Sequence, residues 1–86
     1  MKLRSSIISM LQFLNNLKVN QEVLIEEVRT DSSALEQLTS LGFTPGTPVS
    51  IISKLPFGGP IACKLRGTKF AIRHADACNI LVSQRS

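Results

Sequence analysis

Apolar positions recur at three- and four-residue spacings at the start of the chain, where Leu3, Ile7, Met10, Leu11, Leu14 and Leu17 fall on one stripe. Lys2, Ser5, Ser9, Gln12 and Asn16 occupy the rest of the wheel, so residues 1–17 predict an amphipathic helix whose stripe docks on the body of the domain. Lys18 to Gln21 then break the pattern, and the β-branched run at 23–28 (VLIEEV) predicts a first strand. After it, Ser33 and Glu36 stand at capping-box spacing, each able to satisfy the other's backbone N–H. Leu35, Leu38 and Leu41 follow at threes, predicting a helix over 33–41. A helix this short is unstable alone and must pack on a sheet. Gly42 stands where a left-handed residue ends such a helix, with Phe43 placed to fold back over Leu38.

Beyond Phe43 the period changes to two. Pro45-Gly46 has the fixed φ and the positive φ of a type II turn, and Pro48 is tolerable at the start of a strand. Residues 49–55 (VSIISKL) predict the second strand and PFGGP a turn. In the third strand, 61–66, Ile61, Cys63 and Leu65 face inward while Ala62, Lys64 and Arg66 face out. Gly67-Thr68 turns the chain into 69–73, with Phe70 and Ile72 inward. HADACN (74–79) reads as one helical turn with Ala75 and Cys78 toward the core, and 80–82 (ILV) as a fifth strand. Five short strands joined by tight turns predict a mainly β fold, a small and strongly bent barrel with one inserted helix.

Composition narrows the function. A chain of 86 residues with 43% hydrophobic content makes one domain. It buries roughly 60% of its unfolded surface, which leaves little room for a deep substrate cleft. Two cysteines are fewer than a secreted domain of this size usually carries, and no apolar run reaches a membrane span, so the expectation is an unprocessed, soluble, cytosolic chain. Every acid except Asp76 lies at or before Glu36, whereas Lys54, Lys64, Arg66, Lys69 and Arg73 follow together. The basic half could attract an anionic partner or be an ordinary solvated face. Nucleic acid is not expected, since four Phe with no Tyr or Trp make a poor base-stacking platform.

No phosphate loop, paired-carboxylate motif, Cys-x-x-Cys pair or His-Glu-x-x-His motif is present, so no catalytic residue and no enzyme activity is expected. His74 and Cys78, four apart, could share a face and hold Fe²⁺ or Zn²⁺ weakly. They would need a further ligand, from Cys63 or from a second chain. The bland alternative is a structural turn with a buried thiol.

The order of LGFTPG at 41–46, PFGGP at 56–60 and G-x-x-x-A-x-R at 67–73 resembles the FeoA family, small cytosolic proteins of bacterial ferrous iron uptake, over roughly residues 14–83. The chain departs from the family pattern at Val19-Asn20, where Pro-Gly is usual, and at Gln37, where Arg is common. The resemblance implies an SH3-like barrel over 14–86 and says nothing about residues 1–13, which the periodicity reads as an N-terminal helical extension. It further implies an accessory or regulatory protein, cytoplasmic and peripheral to the inner membrane, acting by contact with the FeoB permease and its GTP-binding domain. No cofactor or membrane insertion is implied. For the contact surface the reading selects Leu35, Gln37, Phe43, Pro45, Pro56 and Phe57. Phe57 stands out because an aromatic at a turn tip is hard to bury within its own hairpin. Other readings are a metal-sensing domain like the SH3-like C-terminal domains of iron-dependent repressors, and a proline-peptide or nucleic-acid adaptor. Homo-oligomerisation through the N-terminal stripe is a further hypothesis.

Overall fold

Residues 11–84 are described in this computed structural model. The chain runs through strand β1 (Leu11–Phe13), a single 3₁₀ turn (Leu14–Asn16), strand β2 (Glu22–Val28), helix α1 (Ser32–Leu41) and strands β3 (Pro48–Lys54), β4 (Ile61–Leu65) and β5 (Thr68–Ile72). The short helix α2 (His74–Ala77) and strand β6 (Ile80–Gln84) complete it. All strand pairs are antiparallel, in one sheet of order β1-β6-β2-β3-β4-β5.

The five expected strands are present, and β1 adds a sixth. Most of the expected N-terminal helix lies outside the described residues; within them, its last part is extended and then turns. Leu11, Gln12 and Phe13 pair with Ser83, Val82 and Leu81 of β6. Leu14 and Leu17 are still fully buried, as the stripe required, but the 3₁₀ turn places them there. A three-residue spacing suits a 3₁₀ turn as well as an α-helix, and the open edge of β6 supplies backbone partners that a helix would forgo.

Alternation puts Val23 and Ile25 of β2, Val49 and Ile51 of β3, Ile61, Cys63 and Leu65 of β4, and Ile80 and Val82 of β6 on one buried face. Two register shifts bend that face around itself, one in β2 between Ile25 and Glu27 and one in β3 between Ile51 and Ser53. Such bulges sharpen the local twist, which is how a sheet this small curls over a core. Phe43 and Leu38 fill the mouth left beneath α1, with the Phe43 ring edge-on to Phe70 at 6.1 Å between centroids.

The turns follow the Pro and Gly residues closely. Gly42 (φ 106°) caps α1, its N–H bonding to the carbonyls of Leu38 and Thr39. Gly46 (φ 87°) completes the Thr44–Thr47 turn and donates to the Ile25 carbonyl, tying that turn to the bulge of β2. Asn20 takes φ 71°, the left-handed conformation that Asn tolerates. Three local expectations are corrected. The cap of α1 is Asp31, whose carboxylate accepts from Ala34 N–H at 2.9 Å, while Ser33 is exposed in the first turn. The β4–β5 turn is Arg66-Gly67, both at positive φ. In α2 the buried alanine is Ala77, and Ala75 faces solvent. The cap assignment predicts that Asp31→Ala lowers stability by about 1 kcal/mol while Ser33→Ala changes it by a few tenths, as read by urea unfolding. Equal losses in the two variants would restore the capping box.

Candidate functional site

The β3–β4 connection carries the most exposed aromatic of the described chain. Leu55 N–H bonds to the Pro60 carbonyl and Gly59 N–H to the Pro56 carbonyl, closing a tight loop around Phe57 and Gly58. Both central residues have positive φ, 60° at Phe57 and 71° at Gly58, the backbone of a type I′ turn. Glycine adopts that conformation freely, but a bulky side chain pays roughly 1–2 kcal/mol for it. Phe57 nevertheless holds it with its ring wholly in solvent, at 104% relative exposure, and Leu55 beside it is 58% exposed. At the base of the loop, Lys54 Nζ donates to the Asn15 carbonyl at 3.0 Å, bracing the hairpin against the 3₁₀ turn.

The other predicted contact residues lie elsewhere. Leu35 and Gln37 are exposed on α1, where Leu41 is also 39% exposed, and Pro45 is exposed in the turn that enters β3. Pro56 is exposed beside Phe57. Phe43 is corrected: it is fully buried, because the chain reverses at Gly42 and drives the ring under α1, so it is a core residue with no surface to offer. Pro45 lies before and Phe57 after β3, whose seven residues extend about 20 Å at a strand's rise per residue, so the two turns stand at opposite ends of one strand. Leu55 was missed in the sequence; as the last apolar residue before Pro56, its adjacency to the turn was the available signal.

At the α1 end a shallow cleft of about 380 Å³ opens between the helix C-terminus and the β4–β5 hairpin, lined by Ser40, Leu41, Leu65, Arg66, Thr68 and Phe70. The basic half is concentrated on that hairpin, where Lys64 stands directly opposite Lys69. Like charges in direct opposition are mildly destabilising. Arg73 is engaged differently, its guanidinium donating twice to the Asp76 carboxylate at 3.1 Å, which raises the Arg73 pKa.

His74 and Cys78 do share a face. Cys78 Sγ lies 3.6 Å from His74 Nδ1, both half-buried, with His74 opening α2 and Cys78 capping its C-terminus. Cys63 is not near them in character: it is fully buried in β4, and desolvation pushes its thiol up to about 11, so it stays protonated at neutral pH. Among the described residues no three His, Cys, Asp or Glu side chains converge on a metal position, and no helix is long and apolar enough to cross a membrane.

Comparison with known proteins agrees with this architecture. The family model for the FeoA domain matches residues 13–84. No curated protein sequence matches the chain. Among solved structures, an iron uptake regulatory protein (FeoA) is 26% identical, with a TM-score of 0.80 over 86% of this chain and 97% of its own. The zinc complex of Stenotrophomonas maltophilia FeoA, described as a prokaryotic SH3 domain protein suggested to activate ferrous iron transport, is 26% identical with a TM-score of 0.74 over 84% of this chain and 89% of its own. A manganese-dependent transcriptional repressor, 14% identical, shares the fold with a TM-score of 0.81 over 87% of this chain and 42% of its own. The bent sheet is therefore the SH3-like fold.

Proposed function

The chain belongs to the FeoA family, associated with ferrous iron transport, and on that premise we propose that it is an accessory module of a FeoB-type permease. It acts by protein contact at the cytosolic side of the inner membrane, on the permease and its GTP-binding domain. The observation that carries this reading is Phe57, a fully exposed aromatic held at φ 60° on a hairpin tip. Strained backbone persists where the surroundings over-determine it and clusters at functional positions. Aromatic anchors dominate the energetics of protein interfaces. Pro56 and Leu55 extend the same patch, while Leu35 and Gln37 on α1 and Pro45 before β3 are further exposed positions. Exposed positions on separate elements suit a module that touches more than one surface of a larger partner.

The test is an amide chemical-shift titration of the labelled protein with the cytosolic part of its cognate FeoB, with and without guanine nucleotide. Shifts concentrated on residues 54–60, with a second set on α1, are expected. Shifts absent from both regions at saturating partner would reject the surface, and no shifts anywhere would reject the partner.

A further inference from the structure

Five Lys and Arg residues lie between Glu36 and Asp76, and two of them are engaged within the fold. Lys54 donates to the Asn15 carbonyl and Arg73 is paired with Asp76. The other three, Lys64, Arg66 and Lys69, stand exposed on the β4–β5 hairpin and make no ion pair among the described residues. The register sets Ser50 of β3, Lys64 of β4 and Lys69 of β5 in one row across the sheet, with Ser50 standing between Lys64 and Glu22, the one acid of that row. Arg66 adds a third charge at the turn, where it lines a shallow cleft of about 370 Å³ together with Glu22, Pro48, Ser50, Lys64 and Gly67.

Two features of this hairpin work against its own stability. Lys64 directly faces a like charge on Lys69. Arg66 holds φ 51°, a left-handed conformation that is unfavourable for a side chain of its length. Ordinary substitutions would relieve both, and local strain of this kind gathers at functional positions. Together the two features keep three cations on one exposed edge.

The chemistry of that edge selects the partner. Protein interfaces gather aromatic residues and Arg and are depleted in Lys, and single-stranded nucleic acid needs stacking rings. Here two of the three cations are lysine, and the one aromatic of the hairpin, Phe70, is half-buried against Phe43. A lipid leaflet needs no such ring, because its anionic headgroups attract Lys and Arg through their field alone. Leu41, exposed on α1, lines the neighbouring cleft with Arg66 and sets an apolar side chain beside the charge. We propose that the β4–β5 hairpin docks on an anionic phospholipid surface through Lys64, Arg66 and Lys69. The contact is peripheral and electrostatic, and it is distinct from Phe57, which lies in the turn that enters β4.

The experiment sediments the full-length protein with vesicles of phosphatidylcholine alone, or of two parts phosphatidylcholine to one part phosphatidylglycerol. These carry no permease, so the result is independent of the contact proposed above. The expected result is partition onto the phosphatidylglycerol vesicles only, falling steeply as NaCl rises to about 0.5 M, where the Debye length shrinks to roughly 4 Å. At about five-fold per cation, Lys64→Gln with Lys69→Gln lowers the partition coefficient about 25-fold, and adding Arg66→Gln brings the loss to about 100-fold. Lys18→Gln with Lys54→Gln removes the same charge elsewhere and costs less than about 3-fold. Unchanged circular dichroism shows that each variant folds. Equal losses in the two double variants overturn the proposal in favour of net charge alone. Equal partition onto phosphatidylcholine, or none onto phosphatidylglycerol at low salt, overturns it outright. Displacement from the vesicles by single-stranded DNA or polyglutamate at equal anionic charge assigns the edge to a soluble polyanion and overturns the lipid.

Discussion

Replacing Phe57 by glycine is expected to leave stability unchanged or raise it by up to about 1 kcal/mol, while weakening the proposed contact with the cytosolic part of a FeoB-type permease about 30-fold. The two effects have separate origins. In the folded chain the substitution relieves the left-handed strain at φ 60°, worth roughly 1–2 kcal/mol, and removes no intramolecular packing, because the ring is fully exposed. Against that, glycine gains freedom in the unfolded chain worth about 0.5–1 kcal/mol, which sets the small net value. Loss of an aromatic anchor at an interface costs about 2 kcal/mol or more, which is the 30-fold. Urea unfolding reads the first quantity and calorimetric titration the second. A variant that is no less stable yet binds poorly would show that the strain is kept for contact. Undiminished affinity would reduce the tip to a turn.

Phe43→Ala is expected to be the most damaging single substitution in the chain, costing about 3–5 kcal/mol. The ring is fully buried, is the largest side chain in the core, and meets Phe70 edge-on. For a domain of this size that loss corresponds to a fall in Tm of roughly 12–40 °C. It is also a sizeable share of the 5–15 kcal/mol that small domains have in total. Phe43→Leu, which keeps an apolar side chain in the cavity, should cost distinctly less. The pair separates core from surface: if Phe43→Ala melted within a degree or two of the parent, the ring would be doing its work outside the core. Comparison with Phe57→Gly then sets two phenylalanines 14 positions apart against each other, one governing stability and the other contact.

Most of the strand order was legible because it rests on local chemistry. Alternation at Ile61, Cys63 and Leu65 has a single solution when one face must be dry, and all three are buried. Gly42 and Gly46 mark backbone positions that side chains avoid, and both have positive φ in the fold. The opening stripe was legible only as a set of buried positions. Leu14 and Leu17 are in the core as their spacing required, but the spacing does not say whether a helix or a 3₁₀ turn delivers them. That choice was made by the free edge of β6, a partner distant in sequence. The cap of α1 was misplaced by two residues for a related reason, since Asp31, Ser32 and Ser33 are all competent caps and the exit path of β2 selects among them.

The candidate site divides along the same line. Sequence alone determined that the chain has few catalytic or metal-binding side chains, that its turns are rigid, that one aromatic sits at a hairpin tip, and that a histidine and a cysteine stand four apart. These are properties of composition and near-neighbour spacing, which hold whatever the rest of the chain does. Only the tertiary structure decided that Phe43 is core, that Phe57 is bare and strained, and that Cys78 and His74 meet at 3.6 Å. Each depends on which surfaces remain after a bent sheet closes over its core, and that is settled by packing between residues far apart in the chain.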